Sequence, residues 1–195
     1  MSQPNYLGIG EVVPKVRFPV REGDAWRDLT TEEIFADKTV VVFALPGAFT
    51  PTCSSSHLPG YATYAREIKA AGVDEIYCLS VNDWFVMDAW RQGLGIKDEV
   101  LMLPDGNADF TTAMGMLVKK RHLGFGERSW RYAMIVHNGV IDTLFVEDIN
   151  DTGDPFSMSG ASEMLEHLKR AAAAELARPP SQTGPNKHTI KSPPI

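Results

Sequence analysis

Two stretches of the chain are apolar at almost every position: residues 39–45 (TVVVFAL) and 75–81 (EIYCLSV). Short continuous apolar runs rich in β-branched residues, rather than alternating ones, predict strands covered on both faces. Residues 54–71 lie between them and are long enough for a helix. Strand, helix and strand at this spacing form a βαβ unit, which makes the two strands parallel and puts the crossover helix on one face. Further on, residues 132–137 and 140–147 flank Asn138-Gly139, whose tolerance of positive φ suits a two-residue turn and an antiparallel hairpin. Helices are predicted over residues 31–36, where Thr30 and Glu33 form a capping box, and over 83–92 and 161–177. The implied fold is α/β, a mixed central sheet flanked by helices.

Composition narrows the function. With 195 residues, 44% hydrophobic and 23% charged, the chain suits one ordinary globular domain. No apolar run approaches the ~18 residues of a membrane span, and the start MSQPNYLGIG lacks the basic and apolar stretches of a signal peptide. No membrane association and a cytoplasmic location are therefore expected. The net charge of −6 disfavours approach to phosphate backbones or anionic lipid, so nucleic acid is not an expected partner. Residues 178–195 hold five prolines, three bases and no acid, and are expected to form a disordered tail. Residues 1–177 then form one domain carrying 16 bases and 25 acids.

Two cysteines are too few for a disulfide framework, so each thiol needs its own account. Cys53 stands in PGAFTPTCSSSH, directly after a predicted buried strand and at the start of the crossover helix. The free N–H groups and dipole of a helix N-terminus favour a thiolate over a thiol. A small residue packing a helix start is the plain alternative. Against it, Pro46, Gly47 and Pro51 build a tight loop, and Thr50 and Ser54 put hydroxyls beside the sulfur. Ionisation alone does not make a fast enzyme; expelling an oxyanion also needs donors aimed at the oxygens.

The string Pro46-x-x-x-Thr50-x-x-Cys53 resembles the signature of the peroxiredoxins, and PGAFTPTCSSSHLPGY is similar to their type-five branch. VNDWFVMDAW, LPDGNADFT and MGMLVKKRHLGFGERSWRYAMIV continue the resemblance, particularly to members fused to a glutaredoxin domain, over residues 5–170. The resemblance implies a thioredoxin-like fold and an antioxidant thiol peroxidase acting on hydrogen peroxide and alkyl hydroperoxides. It puts the peroxidatic nucleophile on Cys53, which becomes sulfenic acid, and hydrogen bonding to the peroxide on Thr50. The family's arginine falls on Arg131 of SWRY, with Arg128 the less favoured choice. Pro46 shields the sulfur, and His57, four residues along the helix, supports the site. A homodimer is expected by resemblance, with aromatics near residues 83–92 helping to form its face; their spacing otherwise reads as packing for Trp84, Phe85 and Trp90.

Cys78, in the middle of a predicted buried strand, reads as a core residue. The resolving thiol that some type-five members carry after the last hairpin is missing from residues 155–159 (PFSMS). This implies a one-cysteine cycle with reduction by an external thiol, and the resemblance points to glutathione, with any glutaredoxin acting in trans. Two rivals stay open. One is a thioredoxin-dependent enzyme resolved by Cys78 or by an intersubunit disulfide; the other is a redox sensor or chaperone-like protein without turnover. No cofactor and no metal are expected: Cys53 and His57 lack a second ligand pair, and GFGERS lacks the third glycine of a dinucleotide loop. The basic cluster Lys119-Lys120-Arg121-His122 reads as a solvated loop, or as an attractor of anionic glutathione toward Arg131.

Overall fold

A computed structural model describes residues 5–151 and 153–177. Five strands form the central sheet: β3 (Thr39–Ala44), β4 (Glu75–Ser80), β5 (Leu101–Pro104), β8 (Tyr132–His137) and β9 (Val140–Val146). Their order is β5-β4-β3-β8-β9, with β3, β4 and β5 parallel and β8 and β9 antiparallel to their neighbours. The expected α/β architecture with a mixed sheet is therefore observed, and it is thioredoxin-like. The β8–β9 turn is the expected one, with Asn138 and Gly139 both at positive φ.

The inner strands β3, β4 and β8 are buried along nearly their whole length because both their faces are covered, whereas the edge strand β9 starts with alternating exposed and buried positions. Helices α2 (Leu58–Ala70), α3 (Trp84–Gly93) and α5 (Ala161–Leu176) pack on the face bearing Val41, Phe43 and Cys78. Phe43 and Tyr61 stack there with ring centres 3.9 Å apart. The other face, bearing Val40, Val42 and Ala44, is covered by the hairpin β1 (Arg17–Glu22)–β2 (Ala25–Thr30) and by helices α1 (Thr31–Phe35) and α4 (Asp109–Ala113). Thr30 and Glu33 make the predicted capping box of α1.

Several elements lie outside the sequence expectation: the β1–β2 hairpin, the four-residue β5, α4, and the small ladder of β6 (Leu117–Lys119) with β7 (Glu127–Ser129). The predicted tail, residues 178–195, lies outside the described residues. Among the described residues no helix is long and apolar enough to cross a membrane.

Candidate active site

The chain leaves β3 through Leu45, Pro46 and Gly47, all buried, and must turn at once into the crossover helix. The turn needs a left-handed residue, and Phe49 supplies it at φ 62°, an uncommon conformation for a bulky side chain and one that concentrates at functional sites. Gly47 is closely packed: a Cβ there would stand 3.3 Å from the Thr50 methyl, which would have to shift by a few tenths of an ångström, and 3.5 Å from Arg128 Nη1. Thr50 Oγ1 closes the loop by donating to the Gly47 carbonyl at 2.7 Å. Pro51 opens the helix, where its missing N–H costs nothing, and Cys53 follows in the first turn, a region whose N–H groups lack intrahelical partners.

Residues Cys53–His57 form one π-helical turn, closed by the Leu58 N–H on the Cys53 carbonyl, before α2 continues as an α-helix. Such single turns are frequent at functional sites. Here it holds Cys53 and His57, both fully buried, against one guanidinium nitrogen. Arg131, immediately before β8 and 1% exposed, donates from Nη1 to Cys53 Sγ at 3.6 Å and to His57 Nδ1 at 3.0 Å. Its Nη2 donates to Asp154 Oδ1.

The other imidazole nitrogen settles the tautomer. His57 Nε2 lies 3.1 Å from the Ser159 carbonyl, which only accepts, so Nε2 carries the proton and Nδ1 is free to accept from Arg131. Burial, and then the charge of Arg131, push the His57 pKa down to about 3, so the ring is neutral at physiological pH. Phe156 packs beside the His57 ring and under the guanidinium, at 4.8 and 5.6 Å. Burial alone would raise the Asp154 carboxyl, but hydrogen bonding by Thr52 and Arg131 outweighs it and keeps the pKa below its ordinary value. The result is a buried thiol, a neutral base and a cation sharing one nitrogen, with a carboxylate balancing the cation.

The redoxin family model matches residues 10–165. The hybrid peroxiredoxin hyPrx5 of Haemophilus influenzae is 55% identical over 159 residues, an alignment spanning 82% of this chain but 65% of that protein's length. A peroxiredoxin of Synechocystis is 51% identical over 181 residues, 87% of this chain and 95% of that one. The chain belongs to the peroxiredoxins. It is therefore placed among the antioxidant thiol peroxidases. Reduced Prx3 of Vibrio vulnificus, solved in complex with hydrogen peroxide, superposes on this peroxiredoxin with a TM-score of 0.77 at 43% identity, covering 85% of this chain and 98% of that one.

The structure brings three of the sequence-predicted residues of this peroxiredoxin, Cys53, His57 and Arg131, into direct contact. Thr50 is half-buried one turn before Cys53, and Pro46 is buried at the loop entrance. Arg128 does not reach the sulfur; it donates to the Val81 and Phe125 carbonyls and braces the loop at Gly47. Cys78 lies fully buried in β4, and burial raises its pKa far above the ordinary value.

The solvated reading of the 119–122 cluster needs correction at Lys120. This residue is 4% exposed, its ammonium donating to the Gly153 carbonyl at 2.9 Å and lying over the Trp130 ring. Its aliphatic stem fits an apolar site because the charged end finds a carbonyl and an aromatic face. Sequence reasoning missed Asp154, Phe156, Ser159 and Glu147. Only Asp154, in the turn-forming run Gly153-Asp154-Pro155, carries a local signal, and that signal speaks of a turn rather than of Arg131.

Proposed function

We propose that Cys53 is the peroxidatic nucleophile of an enzyme that reduces hydrogen peroxide and small alkyl hydroperoxides, with glutathione as the electron donor. One observation carries this reading: a buried guanidinium donates to the Cys53 sulfur while neutral His57 and Asp154 hold it in place. A donor beside the sulfur stabilises negative charge both on the thiolate and on the oxygen it expels. The thiolate attacks one peroxide oxygen, the O–O bond breaks, and the electron pair leaves on the second oxygen. That oxygen takes a proton to become alcohol or water, and Cys53 is left as sulfenic acid. Thr50 serves as donor and acceptor at the peroxide oxygens.

A glutathione thiol then displaces water from the sulfenic acid to give a mixed disulfide, and a second glutathione, or a glutaredoxin in trans, releases the Cys53 thiol. The cycle consumes one hydroperoxide and two thiols and yields alcohol, water and one disulfide. Resolution falls to an external thiol because Cys78, buried in β4, is strongly disfavoured as a thiolate, whereas the equally buried Cys53 has a guanidinium donor beside it. The resemblance to glutaredoxin-fused members favours glutathione. Dependence on such a reductant fits a cytoplasmic setting. A homodimer fits the aromatic surface formed by Trp26 and Phe85, 57% and 58% exposed and in edge contact at 5.7 Å.

The test is the intact mass of the fully reduced protein after one equivalent of hydrogen peroxide without added thiol. The gain of one oxygen atom, localised to Cys53, is expected. Loss of two hydrogens would mark a Cys53–Cys78 or intersubunit disulfide and favour the two-cysteine cycle, whose reductant is a dithiol such as thioredoxin. Multiple turnovers with added glutathione are expected, which excludes a sensor that reacts once.

A further inference from the structure

Glu147 follows the last residue of β9 and is 1% exposed, an unusual place for a carboxylate. It is held ionised by what surrounds it. Burial raises its pKa, but the N–H groups of Met158, Ser157 and Ser159 and the Ser159 hydroxyl outweigh that and leave it below the ordinary range. Oε1 accepts from the Met158 and Ser159 N–H groups at 2.9 and 2.8 Å and from Ser159 Oγ at 2.8 Å. Ser157 donates its N–H to both oxygens at 3.0 Å and its hydroxyl to Oε2 at 3.2 Å.

The same residue is tied to the residues that carry Arg131 into β8. Its N–H donates to the Arg131 carbonyl at 3.2 Å, and its carbonyl accepts from Trp130 Nε1 at 3.0 Å. The segment it gathers has no regular structure of its own, yet it delivers the carbonyl of Ser159 to two buried donors, His57 Nε2 at 3.1 Å and Tyr61 OH at 3.0 Å. With that acceptor on Nε2 the ring keeps its proton there and leaves the Nδ1 lone pair for Arg131. Without it the ring is free to carry its proton on Nδ1, where it would oppose the Arg131 N–H instead of accepting it.

We infer that Glu147 is a positioning residue for peroxide reduction: by clamping residues 157–159 it fixes the Ser159 carbonyl, which sets the His57 tautomer that aims Arg131 at the Cys53 sulfur. A carboxylate suits this place because three N–H groups and two hydroxyls converge on it; an amide would turn one donor toward them. The role rests on the reading of Cys53 and Arg131 given above. It is distinct from a loop staple, whose loss would lower stability without changing the chemistry of the ring.

The experiment compares wild type, Glu147→Gln, His57→Phe and the double variant, measuring the rate of sulfenic acid formation and the ¹⁵N shifts of the His57 ring. Glu147→Gln is expected to slow the reaction ~10-fold or more, the scale of misplacing a reacting group by a fraction of an ångström. The His57 signals are expected to move from a single Nε2–H form toward a mixture. In the His57→Phe background the same substitution should cost less than about twofold, because the ring through which it acts is gone. Ser159→Ala, which removes one hydroxyl donor, carries the same test if Glu147→Gln does not fold, with a loss of roughly threefold.

Wild-type rates with an unchanged ring signature in a folded Glu147 or Ser159 variant would overturn the inference. So would losses that multiply in the double variant. Cys53→Ser in the same series separates the two levels of argument. If it still forms product, the site reading itself fails; if it is inert while Glu147→Gln reacts normally, only the role of Glu147 fails.

Discussion

The neutrality of His57 has a thermodynamic consequence that can be measured away from catalysis. A buried ring whose pKa falls from 6.5 to about 3 on folding binds its proton in the unfolded chain long before it does so in the folded one. Stability is therefore full above pH 6.5 and is lost as pH falls from 6.5 toward 3, because acid favours the state that takes up the proton. Each pH unit in that window costs about 1.4 kcal/mol, so lowering the pH from 7.5 to 5 should cost about 2 kcal/mol through this one residue. The clamped carboxylates Glu147 and Asp154, both lowered by folding, act with the same sign but below about pH 5, since their ordinary values are 4.5 and 3.8. The interval from pH 7.5 to 5 thus lies above the range of those two carboxylates, and a variant without the ring separates the imidazole from every other group within it. Urea unfolding of the reduced protein at fixed concentration across that interval, for wild type and His57→Asn, measures it, each protein being compared with its own value at pH 7.5. A wild-type slope that persists undiminished in His57→Asn would refute the argument.

The two arginines separate in a stopped-flow assay of peroxide oxidation. Arg131→Met removes the donor beside the sulfur and should slow the reaction ~10²–10³-fold, the usual cost of losing one oxyanion donor. Arg128→Met, which disturbs only the loop brace, should cost less than ~10-fold; equal losses would reverse the assignment. Cys78→Ser should leave glutathione-dependent turnover unchanged while lowering stability by about 1–3 kcal/mol, since it buries a hydroxyl in the apolar cluster of Cys78. Loss of turnover in a folded Cys78→Ser protein would establish the two-cysteine route.

What the sequence disclosed follows the range of the forces involved. The β3–α2–β4 unit and the Asn138-Gly139 hairpin were legible because burial on both faces and positive φ leave local marks. The β1–β2 hairpin also alternates, with Phe18 and Val20 inward, but its charged outer positions and the central Pro19 disguise it as loop. Helix α3 begins at Trp84 rather than Asp83 because the Asp83 side chain caps it by accepting from the Val86 N–H. Cys53, Thr50 and Pro46 sit in one motif, and His57 one helical turn on, so they could be read together. Arg131 came from resemblance alone. Asp154 and Ser159 reach Arg131 and His57 from 23 and 102 positions away through a segment without periodicity, and Glu147 meets the site through that same segment and the residues before β8. Lys120 was misread because a run of bases looks solvated until the carbonyl that accepts one of them is known.

The partner of Arg131 shows how the site tolerates its own chemistry. A guanidinium 1% exposed is costly unless an anion stays beside it. In the proposed cycle the Cys53 thiolate is one such anion, but it is consumed at every turnover, since a protonated sulfenic acid carries no charge. Asp154, 42% exposed and so cheaper to keep ionised, is the anion that remains. Removing its charge should then hurt most where the sulfur is neutral. Asp154→Asn is expected to destabilise Cys53→Ser, whose hydroxyl mimics a neutral sulfur, more than it destabilises the reduced wild type at pH 8. The coupling should be about 1 kcal/mol, below the several kcal/mol of fully buried pairs because solvent screens the exposed carboxylate. Urea unfolding of the four proteins gives the coupling directly. Additive costs would mean that the thiolate and Asp154 do not share Arg131, and the geometry around its two terminal nitrogens would then need another purpose.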